Sequence, residues 1–539
     1  MALSPEFGAS FFNGFRPGVA FDPIRRDRPA GGLRVIALGG SSTAGFPYSF
    51  YYGFPARLED RLAAMQPGRP VEMANLGMTA TNSYTLLALA EPVVNRQPDA
   101  VVIYAGHNEY YGAYGTGGTE GWAGTSVPLK RFGIAASRWA LVTGLGGLIG
   151  GEEPPPAESR TMMARVVREA AIGQDSDLFR AGVRQYEANL RDALETFRAA
   201  GTPVFLATLT SNLADQPPLG DEPEAAEAYQ QGRSLLAQGD TLAASRAFLL
   251  AKERDGLRFR APQPINAAIR GLSEEFANVT LVDVEAAFRS ASPGGLEGAA
   301  LFTDHLHPNA RGYALIADAF AQAMRETLPQ LQGAEDPGPA SSDLDAVEKG
   351  LSDLQLTILT SGYPFDKSRT PAEAEAIARA QAERMMERGG PDALAARIVA
   401  EGRAPDHALE QAVQEATAAG DTLAALRLYD ALLHWRPFDA GLAERAVALA
   451  LEDPAYDPPT ASLARFASTH AAPVFGFNAL AAIALRGGDL TRAEVLLEAA
   501  ERADPSSPEM LFNRARLLVV QGDTTSAREY FQRYQATQR

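Results

Sequence analysis

Apolar residues in the first 330 positions fall into short runs divided by longer stretches of helical spacing. The runs, some broken by a polar residue, are Val35-Ile36-Ala37-Leu38, Val71-Glu72-Met73-Ala74, Val101-Val102-Ile103-Tyr104-Ala105, Pro203 to Leu209 and, near 278–284, a fifth. A run of four to eight apolar residues that stops at turn residues reads as a strand buried on both faces. Helical spacing fills the intervals over about 50–65, 86–94, 179–200 and 310–324. Strands alternating with helices predict a parallel sheet with right-handed crossovers and helices on both faces, a three-layer α/β/α arrangement of the flavodoxin type. Residues 1–32, rich in Gly, Pro, Phe and Arg, are expected to wrap this unit as an extended arm.

Two stretches interrupt the alternation. Residues 112–178 form a long insertion after the third strand, with a glycine-rich start, an uncharged 139–151 segment and an acidic, proline-rich 152–156 run. Its place beside a strand end suits a lid or a substrate wall. The second, 221–262, carries Gly239-Asp240 followed by Ala244, Phe248 and Ala251. The same signature returns near the C-terminus at Gly420-Asp421, Gly488-Asp489 and Gly522-Asp523; the last two glycines are 34 residues apart and the first two 68, twice that period. Between them, 454–472 has the length but not the motif. A 34-residue period of small and aromatic residues resembles the tetratricopeptide repeat, a helical hairpin that stacks on its neighbours. The expected domains are therefore an arm (1–32), an α/β domain (33–332) with an inserted hairpin (221–262), a Gly/Pro/Ser linker (333–343), and an all-α adaptor with repeats (344–539). A lone hairpin cannot bury its own apolar face. Leu235, Leu242, Phe248 and Leu249 are accordingly expected to dock on the C-terminal helices.

The chemistry sits at the strand ends. The first strand runs into Gly39-Gly40-Ser41-Ser42-Thr43-Ala44-Gly45, a tight turn into a helix start that suits an exposed nucleophile or a phosphate-cradling loop. The second ends in Asn75-Leu76-Gly77, the third in Gly106-His107-Asn108-Glu109, and Thr303-Asp304-His305-Leu306-His307-Pro308 follows the fifth. Four blocks in this order resemble the SGNH (GDSL-type) hydrolases, over roughly residues 33–326. Gly40 stands where that family commonly has aspartate, and Glu109 likewise. The resemblance implies Ser41 as nucleophile, His307 as its base and Asp304 as the group orienting the imidazole. It implies an oxyanion hole from the N–H of Ser41, the N–H of Gly77 and the side-chain amide of Asn108. Rival readings are Ser42 as nucleophile and a metal held by Asp304, His305 and His307. No metal and no cofactor are expected. His107 and His305 read as neighbours of the site, and His407, His434 and His470 as packing or surface residues.

Composition narrows the partners. A net charge of −17 and a pI near 5.0 disfavour nucleic acid and anionic membrane surfaces as main partners. With no cysteine among 539 residues there is no disulfide and no thiolate chemistry. No apolar run reaches the roughly 18 residues of a transmembrane helix. The start, Met-Ala-Leu-Ser-Pro-Glu-Phe, lacks the basic opening and apolar core of a secretion signal. The compartment stays open between an extracytoplasmic one, reached by a native signal or anchor absent from this chain, and the cytoplasm. The leading expectation is an esterase or deacetylase acting on an acylated small molecule or carbohydrate, with a protein partner on the repeats. The alternatives are an acyltransferase using the same triad and a non-catalytic repeat scaffold.

Overall fold

A computed structural model describes residues 7–8, 11, 17–28, 31–118, 125–142, 167–168, 171–400, 405–452, 463–464 and 466–538. Most of the uncharged 139–151 stretch, the acidic 152–156 run and much of the motif-poor 454–472 repeat lie outside them.

Five strands, β1 (Leu33–Gly39), β2 (Val71–Gly77), β3 (Ala100–Tyr104), β4 (Val204–Ala207) and β5 (Val279–Val282), form one sheet in the order β2-β1-β3-β4-β5. Every pairing is parallel, with Gly39 level with Gly77 on one side and Tyr104 on the other. Burial on both faces accounts for the continuous apolar runs of β1, β3 and β4. Two charged residues break this rule together. Arg34 in β1 and Glu72 in β2 face each other across the register, both buried, with Arg34 Nε donating to Glu72 at 2.6 Å.

In chain order the α/β domain's helices are α1 (Ser41–Ala44), α2 (Phe54–Met65), α3 (Ser83–Val94), α4 (Val127–Val142), α5 (Asp177–Ala199), α6 (Pro223–Ala237), α7 (Thr241–Arg254), α8 (Gln263–Glu275), α9 (Val284–Ala291) and α10 (Ala310–Thr327). The chain order reverses between β1 and β3, and at such a switch point parallel sheets leave a crevice at the strands' carboxyl ends. The arm runs along the outer edge of β2, where Asn75 N–H donates to Asp22 and Ala20 N–H to the Gly77 carbonyl. In the 112–178 insertion, α4 lies on α5 through Lys130 to Gln185 and Arg131 to Asn189.

The helical part follows as α11 (Ala346–Thr360), α12 (Pro371–Arg388), α13 (Gly390–Ala400), α14 (Pro405–Ala418), α15 (Thr422–Trp435), α16 (Ala440–Leu451), α17 (Pro473–Gly487), α18 (Leu490–Ala503), α19 (Pro508–Gln521) and α20 (Thr524–Thr537). The Gly-Asp signature has a local cause at all four sites. Each glycine (239, 420, 488, 522) takes a positive φ to end one helix, and each aspartate caps the next by accepting a backbone N–H three residues on. The repeat motif is thus a turn written in two residues.

The inserted hairpin, α6 and α7, does not dock on the C-terminal array. Its apolar face closes on loops of its own domain: Tyr229, Ala244 and Phe248 cluster with Leu213, Ala214 and Leu296, and Tyr229 OH donates to the Ala214 carbonyl. Leu242, expected to need a partner, is 65% exposed. Both ends of the insertion return to the β4–β5 crossover, so the nearest surface to cover is the one it grew from. Lys367 to Asp221, at 2.7 Å, is a surface ion pair from the helical part to the foot of this hairpin.

The array instead docks on the segment after the Ser41 turn. Phe50 meets Trp435 edge-on at 5.3 Å, Phe21 stacks on Trp435 at 6.0 Å, and Tyr51 stacks on His434 at 4.8 Å. Ser49 donates to Glu348, Tyr52 to Asp345, and Arg25 to the His470 carbonyl. Residues 333–343 are laid along the α/β domain, with Asp336 paired to Arg61 and Ala340 N–H bound to Asp318.

Candidate active site

The turn after β1 is glycine by necessity. A Cβ on Gly39 would sit 2.1 Å from Thr43 Oγ1 and 2.2 Å from the Tyr104 carbonyl, because Thr43 reaches back to that carbonyl at 3.0 Å. This contact folds α1 tightly over the strand ends and presents Ser41 at its first position, with Gly40 as N-cap. Ser41 Oγ lies 2.7 Å from His307 Nε2. Ser42, one residue on, is buried, and its hydroxyl has no hydrogen-bond partner among the described residues.

His307 is positioned by its own loop. His307 Nδ1 is 2.6 Å from Asp304 Oδ2, while Asp304 Oδ1 accepts the backbone N–H groups of Leu306 (2.9 Å) and His307 (2.8 Å). Thr303 closes the turn with two bonds to the His307 carbonyl, and Asn212, beyond β4, holds the Asp304 and His305 carbonyls. Burial pushes the Asp304 carboxyl up, but the charges of His307 and then His305 prevail and hold it well below the usual carboxylate range. The spacing Asp-x-x-His therefore gives one short turn in which one carboxylate oxygen organises the backbone and the other faces the imidazole.

Asn108, in the loop after β3, brings its amide nitrogen to 3.1 Å from where a Gly40 Cβ would stand, beside the serine turn. Its side chain makes no hydrogen bond to the described residues, so both N–H groups are free for a ligand. Gly77 is different. Its N–H already donates to Asn75 Oδ1 at 2.9 Å, and its missing side chain makes room for α1, since a Cβ would fall 2.3 Å from Ala44 N. Three residues later, Ala80 holds a φ of +56° and lines the cavity around Ser41, and its N–H has no partner among the described residues. Sequence reading passed over Ala80 because alanine carries no sign of a left-handed backbone.

Of the two neighbouring histidines, His107 is buried and accepts Ala261 N–H on Nδ1. Burial, more than any charge, pushes its pKa well down, and lowers that of His305 too. Glu109 is also buried. It accepts the Ser83 N–H and hydroxyl at the start of α3, and burial raises its pKa to about 7. Asp304, His305 and His307 each offer one donor atom within 4.8 Å of the others. Both ring nitrogens of His307 are engaged, however, one by Asp304 and one by Ser41, which is the geometry of a proton relay. The cavity at Ser41 holds about 60 Å³ and is walled by Phe46, Tyr111, Phe259 and Leu306.

The described residues include no helix long and apolar enough to cross a membrane. No curated protein matches the chain. Among solved structures it is similar to a GDSL-like lipase from Bacteroides thetaiotaomicron (15% identity over 57% of this chain and 93% of that one, TM-score 0.29). It is also similar to an acetylxylan esterase from Geobacillus stearothermophilus (18% identity over 55% and 94%, TM-score 0.30). Residues 478–539 match the tetratricopeptide repeat model. The model of the GDSL-like lipase/acylhydrolase family matches residues 37–315, more than half of the chain, at the switch point where Ser41 and Asn108 stand. The chain belongs to the GDSL-like lipase/acylhydrolase family, whose members are hydrolases acting on esters.

Proposed function

We propose that the protein is a serine esterase that removes a short acyl group, with Ser41, His307 and Asp304 as its triad. The observation that carries this is the unbroken chain Ser41 Oγ, His307 Nε2, His307 Nδ1, Asp304 Oδ2, with links of 2.7 and 2.6 Å. His307 takes the Ser41 proton as the hydroxyl attacks the ester carbonyl, and Asp304 stabilises the imidazolium that results. The imidazolium then gives its proton to the leaving alcohol, and water repeats the sequence to free the acid. The negative oxygen is met by the Asn108 amide and the Ser41 N–H, with the Ala80 N–H in the place first read for Gly77. The narrow cavity at the serine, about 60 Å³ and walled by Phe46, Tyr111, Phe259 and Leu306, suits a short acyl group such as acetyl. A carbohydrate acetate is one such ester. The repeats are assigned to protein contact, as stacked hairpins present extended grooves.

A fluorophosphonate probe together with p-nitrophenyl acetate tests the reading. Ser41→Ala is expected to lose both labelling and turnover, and Ser42→Ala to keep much of both. Loss only at Ser42 moves the nucleophile by one residue, and an unlabelled wild-type chain removes the reading.

A further inference from the structure

A second, larger space opens between the α/β domain and the first helices of the array, with a volume of about 710 Å³. Val19, Phe46 and Thr79 wall it on one side, and Leu351, Ile398 and Leu428 on the other. Phe46 and Thr79 also line the cavity at Ser41, and the Phe46 ring is centred 4.6 Å from that of His307. The cleft therefore begins one side chain away from the nucleophile.

Its chemistry is that of a hydrocarbon site. The interior is largely aliphatic, with Leu351, Leu394 and Leu409 buried and Ile398 and Leu428 half-buried. Of the charged lining residues, Arg397, Glu415, Asp421 and Arg427 are exposed to solvent, while the buried Glu348 and half-buried Asp345 are already bound by Ser49 and Tyr52. Such walls dehydrate methylene groups but offer a sugar few hydrogen bonds. The aromatic faces a sugar would stack on are taken at this wall: Phe21 covers Trp435 at 13° between planes, and Tyr51 covers His434 at 6°.

We propose that this cleft binds the hydrocarbon chain of an amphiphilic ester. The short acyl group sits at Ser41, the alcohol portion carries the chain into the cleft, and the helical array forms one of its two walls. The proposal rests on the ester-hydrolase reading above, and its test is separable from that reading because it needs binding and no turnover.

The test titrates the full-length Ser41→Ala chain with butyl, hexyl and octyl acetate by calorimetry. Each methylene should tighten Kd about fourfold, so octyl acetate, four methylenes longer, should bind roughly 250-fold more tightly than butyl acetate. Ile398→Trp on α13, which fills the cleft, and Leu428→Glu on α15, which charges it, should each cut that gain to within about threefold. Melting curves verify that each variant is folded, and the gain within one protein does not depend on its active fraction. A Kd independent of chain length in the parent, or a full gain retained in both variants, overturns the proposal and leaves the cleft to another occupant, such as a polypeptide. Failure of the wild-type chain to hydrolyse p-nitrophenyl acetate would instead strike the ester-hydrolase reading.

Discussion

Replacing Asp304 with asparagine tests the proposed relay with almost no change of shape. Oδ1 of Asp304 accepts two backbone N–H groups, so an amide nitrogen there would meet two donors. The asparagine therefore keeps its carbonyl toward Leu306 and His307 N–H and turns its NH₂ toward His307 Nδ1, 2.6 Å away in the parent. An NH₂ in that place can only donate, so Nδ1 must accept and the ring proton moves to Nε2. Nε2 then points a hydrogen at Ser41 instead of a lone pair, and the base is lost while the fold stays. The same exchange of tautomer in a serine protease costs about 10⁴ in kcat, and a similar loss is expected here. The assay is steady-state hydrolysis of p-nitrophenyl acetate, with melting as the control for structure. A variant within tenfold of the parent in kcat, with unchanged melting, would refute the role given to Asp304.

Asn108→Ala should lower kcat by about 10²–10³, the usual cost of one oxyanion donor, with little change in melting because its amide bonds to no described residue. Parent-like turnover would make Asn108 a loop residue. Burial raises the Glu348 carboxyl from 4.5 to about 8 at the contact with Ser49. A carboxyl with a raised folded pKa contributes stability that is complete below its unfolded value of 4.5 and lost as the pH climbs through 8. Glu348→Gln has no such proton to lose, so its melting temperature should gain on the parent's steadily from pH 5 to 9; parallel curves would refute the shift.

How much the chain declared in advance depended on whether the cause was local. The apolar runs of β1 and β3 declare buried strands because both faces are covered, and Gly-Asp declares a repeat because a positive-φ glycine and an N-cap aspartate make the turn unaided. Ser41, Asn108 and the Asp304–His307 turn were legible for the same reason, each lying at a strand or loop end. What distance decides was not legible. Nothing local in Leu242 says that it stays exposed while Tyr229 and Phe248 close on Leu213 and Leu296. At Gly77 the motif marks a glycine that must be small, and only the packing shows that a Cβ there would meet Ala44 while its N–H donates to Asn75.

The junction between array and α/β domain bears on what the repeats can do. A flexible tether would need a polar, solvated contact, but this one buries charge on both sides. His470 Nε2 lies 3.2 Å from Glu59, and Arg25 reaches the His470 carbonyl while its N–H meets Glu72, the buried partner of Arg34. Burial lowers the His470 pKa, but Glu59, followed by Asp22 and Glu72, outweighs it and the net shift is upward. Separating the surfaces would leave His470 and Glu59 without each other and the Arg25 guanidinium without the His470 carbonyl, while Glu72 keeps Arg34; breaking a buried pair costs about 3–5 kcal/mol. A few such contacts, with the Phe21, Phe50 and Trp435 cluster, bind the array to the segment that follows Ser41. The first helices of the array are thereby held against the space that Phe46 lines, with the Phe46 ring centred 4.6 Å from that of His307.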